Sequence, residues 1–101
     1  MDRTKVQSDL GLAMRAGKLL HGEESVLEAI KDKRARIVFL ASDSGASTTK
    51  RINDKCAFYN VSLCREFTTT ELSSAIGKEN RKVLAVCDRN FAILLEKAIN
   101  E

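Results

Sequence analysis

The sequence predicts an α/β fold: a three-layer α/β/α sandwich around a small mixed sheet of about four strands. Three observations carry this. Helical periodicity alternates along the chain with short apolar runs. Two of those runs, "IVFLA" at 37–41 and "VLAVC" at 83–87, have no polar alternation, which suits strands covered on both faces. Neither GxGxxG nor GxxxxGK[ST] occurs after a strand, which argues against a doubly wound nucleotide-binding fold.

Val6, Leu10, Ala13 and Met14 recur at helical spacing, with Gly17 as a stop. Leu19 and Leu20 make a short extended piece. A second helix starts near Glu23 and turns Val26, Leu27 and Ile30 inward. After the strand at 37–41, "SDSGAS" at 42–47 has turn chemistry. Ile52, Cys56 and Tyr59 then define a third helix, and "VSLC" at 61–64 reads as a strand. Thr68 and Glu71 stand at capping-box spacing ahead of Leu72, Ala75 and Ile76, and Gly77 can close that helix. Asp88 can cap a last helix that buries Phe91, Leu94, Leu95 and Ala98.

The 101 residues suffice for a single domain, 1–101, with one modest core. Hydrophobic content of 44% against 31% charged residues excludes a disordered chain. No apolar run approaches the roughly 20 residues of a membrane span. The N-terminal stretch lacks signal-peptide character, so a cytoplasmic protein with no membrane partner is expected. Cys56, Cys64 and Cys87 form no CxxC pair, and with one histidine a metal site is not expected. Buried thiols are the expectation for all three.

The net charge of +3 permits a polyanionic partner without requiring one. The basic residues cluster, with four in "KDKRAR" at 31–36 and three in "KENRK" at 78–82. His21 is the sole imidazole, and no local spacing pairs it with a nucleophile. Glu23 and Glu24 are adjacent, so on a helix they diverge by about 100° and do not face each other as an acid/base pair. Their simplest role is a favourable interaction with the helix dipole. No catalytic residue and no cofactor is expected. The few aromatics argue against a stacking platform as the binding mode. Recognition of structured RNA remains. Gly22 lets a backbone N–H approach a ligand closely, and a helix start offers more donors. If Gly22 and the Gly77 turn share an edge, they form the two sides of a groove.

"GLAMRAGKLLHGEESVLEAI", "RARIVFLAS", "KRINDKCAFYNV" and "ELSSAIGKENRKVLAV" together resemble the bacterial YlxQ proteins. Those belong to the superfamily of small ribosomal proteins that bind kink-turn RNA. The resemblance spans about residues 8 to 99, and RAGK, HGEE, DKCAFYNV and AIGKE are its most specific parts. It implies an α/β/α sandwich and RNA binding without catalysis. In such proteins a Gly-x-Asn/Lys-Glu/Gln motif at the start of the second helix meets sheared G·A pairs, and a loop after the fourth helix closes over bulged nucleotides.

Gly22 matches the motif glycine. Glu24 falls at the Asn/Lys position, Ser25 at the Glu/Gln position, and Glu28 where a lysine is common. Gly77, Lys78, Glu79 and Asn80 fall in the closing loop. Glu24 departs from the pattern because a carboxylate only accepts hydrogen bonds. Ser25 is shorter than the usual residue, and Glu28 repels phosphate. The paired glutamates are similar to those of the YlxQ branch. Guanine edges present N–H donors, so the expectation is that Glu24 or Glu23 accepts amino or imino protons. Lys18, Lys33, Arg34, Lys78 and Arg81 are expected to neutralise phosphate. The expected partner is structured RNA, kink-turn or ribosomal RNA, with the ribosome as a candidate setting, bound by a monomer. The alternative is a protein-interaction module on the same fold, its acidic helix start meeting a basic partner.

Overall fold

The structure, a computed structural model, describes residues 1–101. Five helices and four strands alternate: α1 (Arg3–Arg15), β1 (Leu19–His21), α2 (Glu23–Lys31), β2 (Ile37–Leu40), α3 (Ala46–Tyr59), β3 (Ser62–Cys64), α4 (Thr69–Ile76), β4 (Val83–Val86) and α5 (Arg89–Ile99). The strands form one mixed sheet in the order β1-β4-β2-β3. β4 runs antiparallel to both β1 and β2, and β2 runs parallel to β3.

Every residue of β2 and β4 is buried, as the unbroken apolar runs predict. The two faces separate by parity. Ile37, Phe39, Leu84 and Val86 join Leu10, Leu72 and Leu95 in one core; Val38, Leu40, Val83 and Ala85 join Val26, Ile30 and Ile52 in the other. Helices α1, α4 and α5 therefore cover one face, and α2 and α3 the other. The three layers agree with the sandwich read from the sequence.

The helix starts follow local chemistry. Asp2 accepts from the Lys5 N–H at 3.1 Å, and Asp88 accepts from the Phe91 N–H at 2.9 Å. Thr68 and Glu71 complete the capping box reciprocally. Gly11 lies where α1 and α4 approach closely: a Cβ there would stand 2.8 Å from the Ala75 carbonyl oxygen.

Three details differ from the sequence reading. α3 begins at Ala46, inside the "SDSGAS" turn text, because Gly45 takes the extended N-cap conformation without any side-chain cap. Leu94 is exposed, and Ala92 turns inward with Leu95 and Ala98. Both follow from the phase of α5, whose buried stripe runs 92, 95, 98 rather than through 94. Cys56 and Cys64 are buried, but Cys87 is only half-buried; burial pushes the Cys56 thiol up to about 11.

Backbone hydrogen bonds tie loops to both ends of the sheet. At one end the Gly22 N–H donates to the Val83 carbonyl at 3.0 Å and the Ala41 N–H to the Lys82 carbonyl at 2.8 Å. At the other, the Cys87 N–H donates to the Lys18 carbonyl at 2.9 Å and the Arg36 N–H to the Val86 carbonyl at 2.8 Å.

Candidate nucleic-acid interface

α2 opens directly from β1. Gly22 makes the turn with φ +95° and ψ 144°, a conformation that side chains rarely adopt, and it has no neighbour within 4 Å of where a Cβ would be. The glycine is there for its backbone, and the space beside it is open. Glu24 and Ser25 are exposed on the first turn, and Gly22 to Ser25 with Leu27 line a shallow open hollow.

Glu23 points elsewhere. Its Oε1 accepts from the Thr48 hydroxyl at 2.7 Å, and its Oε2 accepts from Arg51 Nε. Both donors belong to α3. Arg51 and Thr48 hold the carboxyl below its ordinary value, so the clamp is charged at neutral pH. Of the two glutamates expected to read a base, Glu24 has no internal partner, whereas both oxygens of Glu23 are engaged within the fold.

The opposing wall is the turn after α4. Gly77 ends the helix in the left-handed conformation, φ +70°. Ser73 is buried beneath the turn; its Oγ accepts from the Arg81 N–H at 2.7 Å and donates to the Arg81 carbonyl at 3.2 Å. Asn80 also has positive φ, +52°. The turn is thus pinned at Arg81 while Lys78, Glu79 and Asn80 remain exposed.

The two walls meet. Gly22 and Glu23 of one, Asn80, Arg81 and Lys82 of the other, and Thr48 between them line a hollow of about 220 Å³. His21, next to Gly22, is half-buried, and its imidazole is held below its ordinary value first by that burial and then by Arg81 and Lys78. Gly77 itself lies at the far end of the turn. Lys78, Glu79 and Asn80 share a second, outer hollow with Thr69, Thr70, Ser73 and Ser74.

Three of the expected phosphate contacts are not part of this cleft. Lys18 precedes β1 and sits at the opposite end of the sheet, bonded through its carbonyl to Cys87. Lys33 and Arg34 follow the C-terminus of α2, about 13 Å along the helix from Gly22. Antiparallel pairing of β1 with β4 separates them from Arg81 by the length of the sheet. Conversely, Thr48 lines the cleft and Arg51 reaches it through Glu23 without any sequence signal to mark them, and Lys82, marked only as part of the basic run at 78–82, lines it too. "TTKR" at 48–51 has no motif character; only the packing of α3 beside α2 brings it to Glu23.

Residues 4–95 match the model of the ribosomal protein L7Ae/L30e/S12e/Gadd45 family. The chain belongs to this family. Within it, the chain is 42% identical over 91 residues to the RNA-binding protein YlxQ of Enterococcus faecium, covering 90% of this chain and 87% of that one. It is also 42% identical over 83 residues to the RNA-binding protein YlxQ of Bacillus subtilis, covering 82% and 83%. A Bacillus halodurans protein described as having unknown function superposes with a TM-score of 0.91 at 40% identity, covering 96% of this chain and 98% of that one. The 15.5 kD RNA-binding protein of Giardia lamblia superposes with a TM-score of 0.84 at 11% identity, covering 96% and 83%, and so shares the L7Ae-type fold. The YlxQ-like resemblance seen in HGEE and AIGKE thus holds across the chain.

Proposed function

We propose that this L7Ae-family chain binds structured RNA without catalysing a reaction, using the Gly22 turn and the 78–82 turn as the two walls of its cleft. The observation that carries this reading is the hollow shared by Gly22 and Asn80–Lys82 in a chain whose relatives are named RNA-binding proteins. The RNA is a sharp bend of kink-turn type, as in ribosomal RNA, since a cleft between two turns suits a protruding bend better than a smooth duplex.

The residues divide by chemistry. Glu24, exposed and free of internal partners, accepts guanine amino or imino protons. Gly22 permits close approach of the backbone. Lys78, Arg81 and Lys82 meet phosphates. Glu23 acts through Arg51 and Thr48, fixing the position of the α2 start against α3. His21 stays neutral beside these cations and serves as a polar packing residue.

Electrophoretic mobility shift of the protein with a kink-turn RNA and with a plain duplex of equal length tests the reading. Retardation of the kink-turn at protein concentrations that leave the duplex free is expected. Equal retardation of both, or of neither, refutes it.

A further inference from the structure

Lys33, one of the basic residues outside the cleft, lies with Arg36 at the opposite end of the sheet, where the end of α2, the start of β2 and the end of α3 converge. Lys33, Arg36, Tyr59 and Asn60 line a hollow of about 260 Å³ there. Neither Lys33 nor Arg36 forms an ion pair, and Asp32, the acid nearest in sequence, is already paired with Arg34. Lys33 leaves α2 with φ +62°.

An aromatic pair stands on the rim. Phe58 is 80% exposed, the most exposed of the large apolar side chains. Its ring meets that of Tyr59 edge-on, with centroids 4.9 Å apart and planes at 75°. Tyr59 thus braces Phe58 and leaves a face of the ring open. Cations that merely complement the C-terminal dipole of α2 would account for Lys31 and Lys33. They would not account for an uncovered phenyl ring packed against Tyr59, which lines the same hollow as Lys33 and Arg36. A hydrophobic protein partner would favour a broader apolar patch than one ring edged with charge.

We propose that this end of the sheet is a second nucleic-acid contact, in which Phe58 stacks on an unpaired base of a single-stranded RNA segment while Lys33 and Arg36 hold its phosphates. A ring can reach the face of a base only where the strand is unpaired, which sets the ligand class. The inference rests on the RNA-binding reading of the chain but not on the cleft at Gly22.

The test is fluorescence anisotropy of the whole chain with a fluorescein-labelled oligouridylate octamer, at several salt concentrations. The wild type is expected to bind. Phe58→Ala should weaken binding about tenfold or more, in line with loss of one base–aromatic stack. Replacing Lys33 and Arg36 together by glutamine should lower the salt slope by about 1.4, at roughly 0.7 per phosphate contact on a single strand. Lys97→Ala, an exposed cation on α5 outside both hollows, should leave octamer binding unchanged. Phe58 lies outside both cores, so its removal leaves the fold intact.

Absence of octamer binding, or equal affinity of Phe58→Ala and wild type, overturns the proposal. So does a Phe58→Ala variant that changes only self-association in sedimentation, which would assign the ring to a protein contact. Failure of the kink-turn shift with Phe58-dependent octamer binding intact would refute the cleft and leave this contact standing; the reverse result would refute this contact alone.

Discussion

Arg51 donates its Nε–H to Oε2 of Glu23, tying the middle of α3 to the first residue of α2. Adjacent glutamates at one helix start therefore have different environments. One is engaged by α3, and the next faces solvent.

This difference predicts a split in mutant behaviour. Glu24→Gln should weaken kink-turn RNA binding by about 1–3 kcal/mol, the worth of a base contact, with the melting temperature unchanged. Glu23→Gln should lower the melting temperature slightly, because its ion pair is partly exposed to solvent. Titration and thermal melts of both variants check this. Unchanged affinity in Glu24→Gln removes that residue from the interface.

Two glycines should respond to alanine for different reasons. Gly11→Ala places a Cβ 2.8 Å from the backbone oxygen of Ala75, so α1 and α4 must part. Overpacking of this kind costs about 1–3 kcal/mol of stability, with RNA affinity intact in the folded fraction. Gly22→Ala meets open space, and its cost is backbone strain at φ +95°, about 1–3 kcal/mol. Because that strain lies on the cleft wall, RNA affinity should fall as well. Urea denaturation with parallel binding measurements separates the two.

His21 offers a local electrostatic probe, as the sole imidazole of the chain. Its pKa lies below 6.5 because of burial, Arg81 and Lys78, in that order. Arg81→Ala or Lys78→Ala should move it back toward 6.5. RNA phosphate seated against the same cations should also raise it, since the added negative charge favours imidazolium. Proton NMR titration of the imidazole, free and with RNA, measures both shifts. A pKa unmoved by RNA would place the phosphates elsewhere.

Acid should destabilise the fold through identifiable carboxylates. Glu23 is held down by Arg51 and Thr48, Glu71 by the Thr68 N–H and Arg3, and Asp43 by the Thr69 hydroxyl and N–H. Each has a folded pKa below its ordinary value of 4.5 for Glu or 3.8 for Asp. Their contribution is therefore complete above those values and is lost as the pH falls through the lower, folded ones. Urea midpoints measured from neutral to acid pH should decline in that window, and Glu71→Gln should make the decline shallower.

Much of the fold is legible in the sequence because its signals are local. β2 and β4 announce themselves as unbroken apolar runs, and the Thr68–Glu71 box needs only four consecutive residues. The start of α3 is hidden because Gly45 caps it without a side chain. The cleft is half legible. Gly22 and the 78–82 turn carry recognisable text, whereas the Thr48 and Arg51 donors depend on how α3 lies against α2. Basic residues near HGEE in the sequence are the least informative. A strand of three residues and a helix of nine are enough to carry Lys18, Lys33 and Arg34 to the far end of the sheet.

The strand order β1-β4-β2-β3 also bears on how the chain acquires its shape. β1 and β2 share no ladder; each borders β4, which comes last in the chain. As the chain folds, β2 can pair with β3, but β1 has no strand to join until Val83–Val86 is in place. Until then the unpaired edges of β1 and β2 are open to mispairing with other folding chains, a hazard that ends when the late strand slots between them.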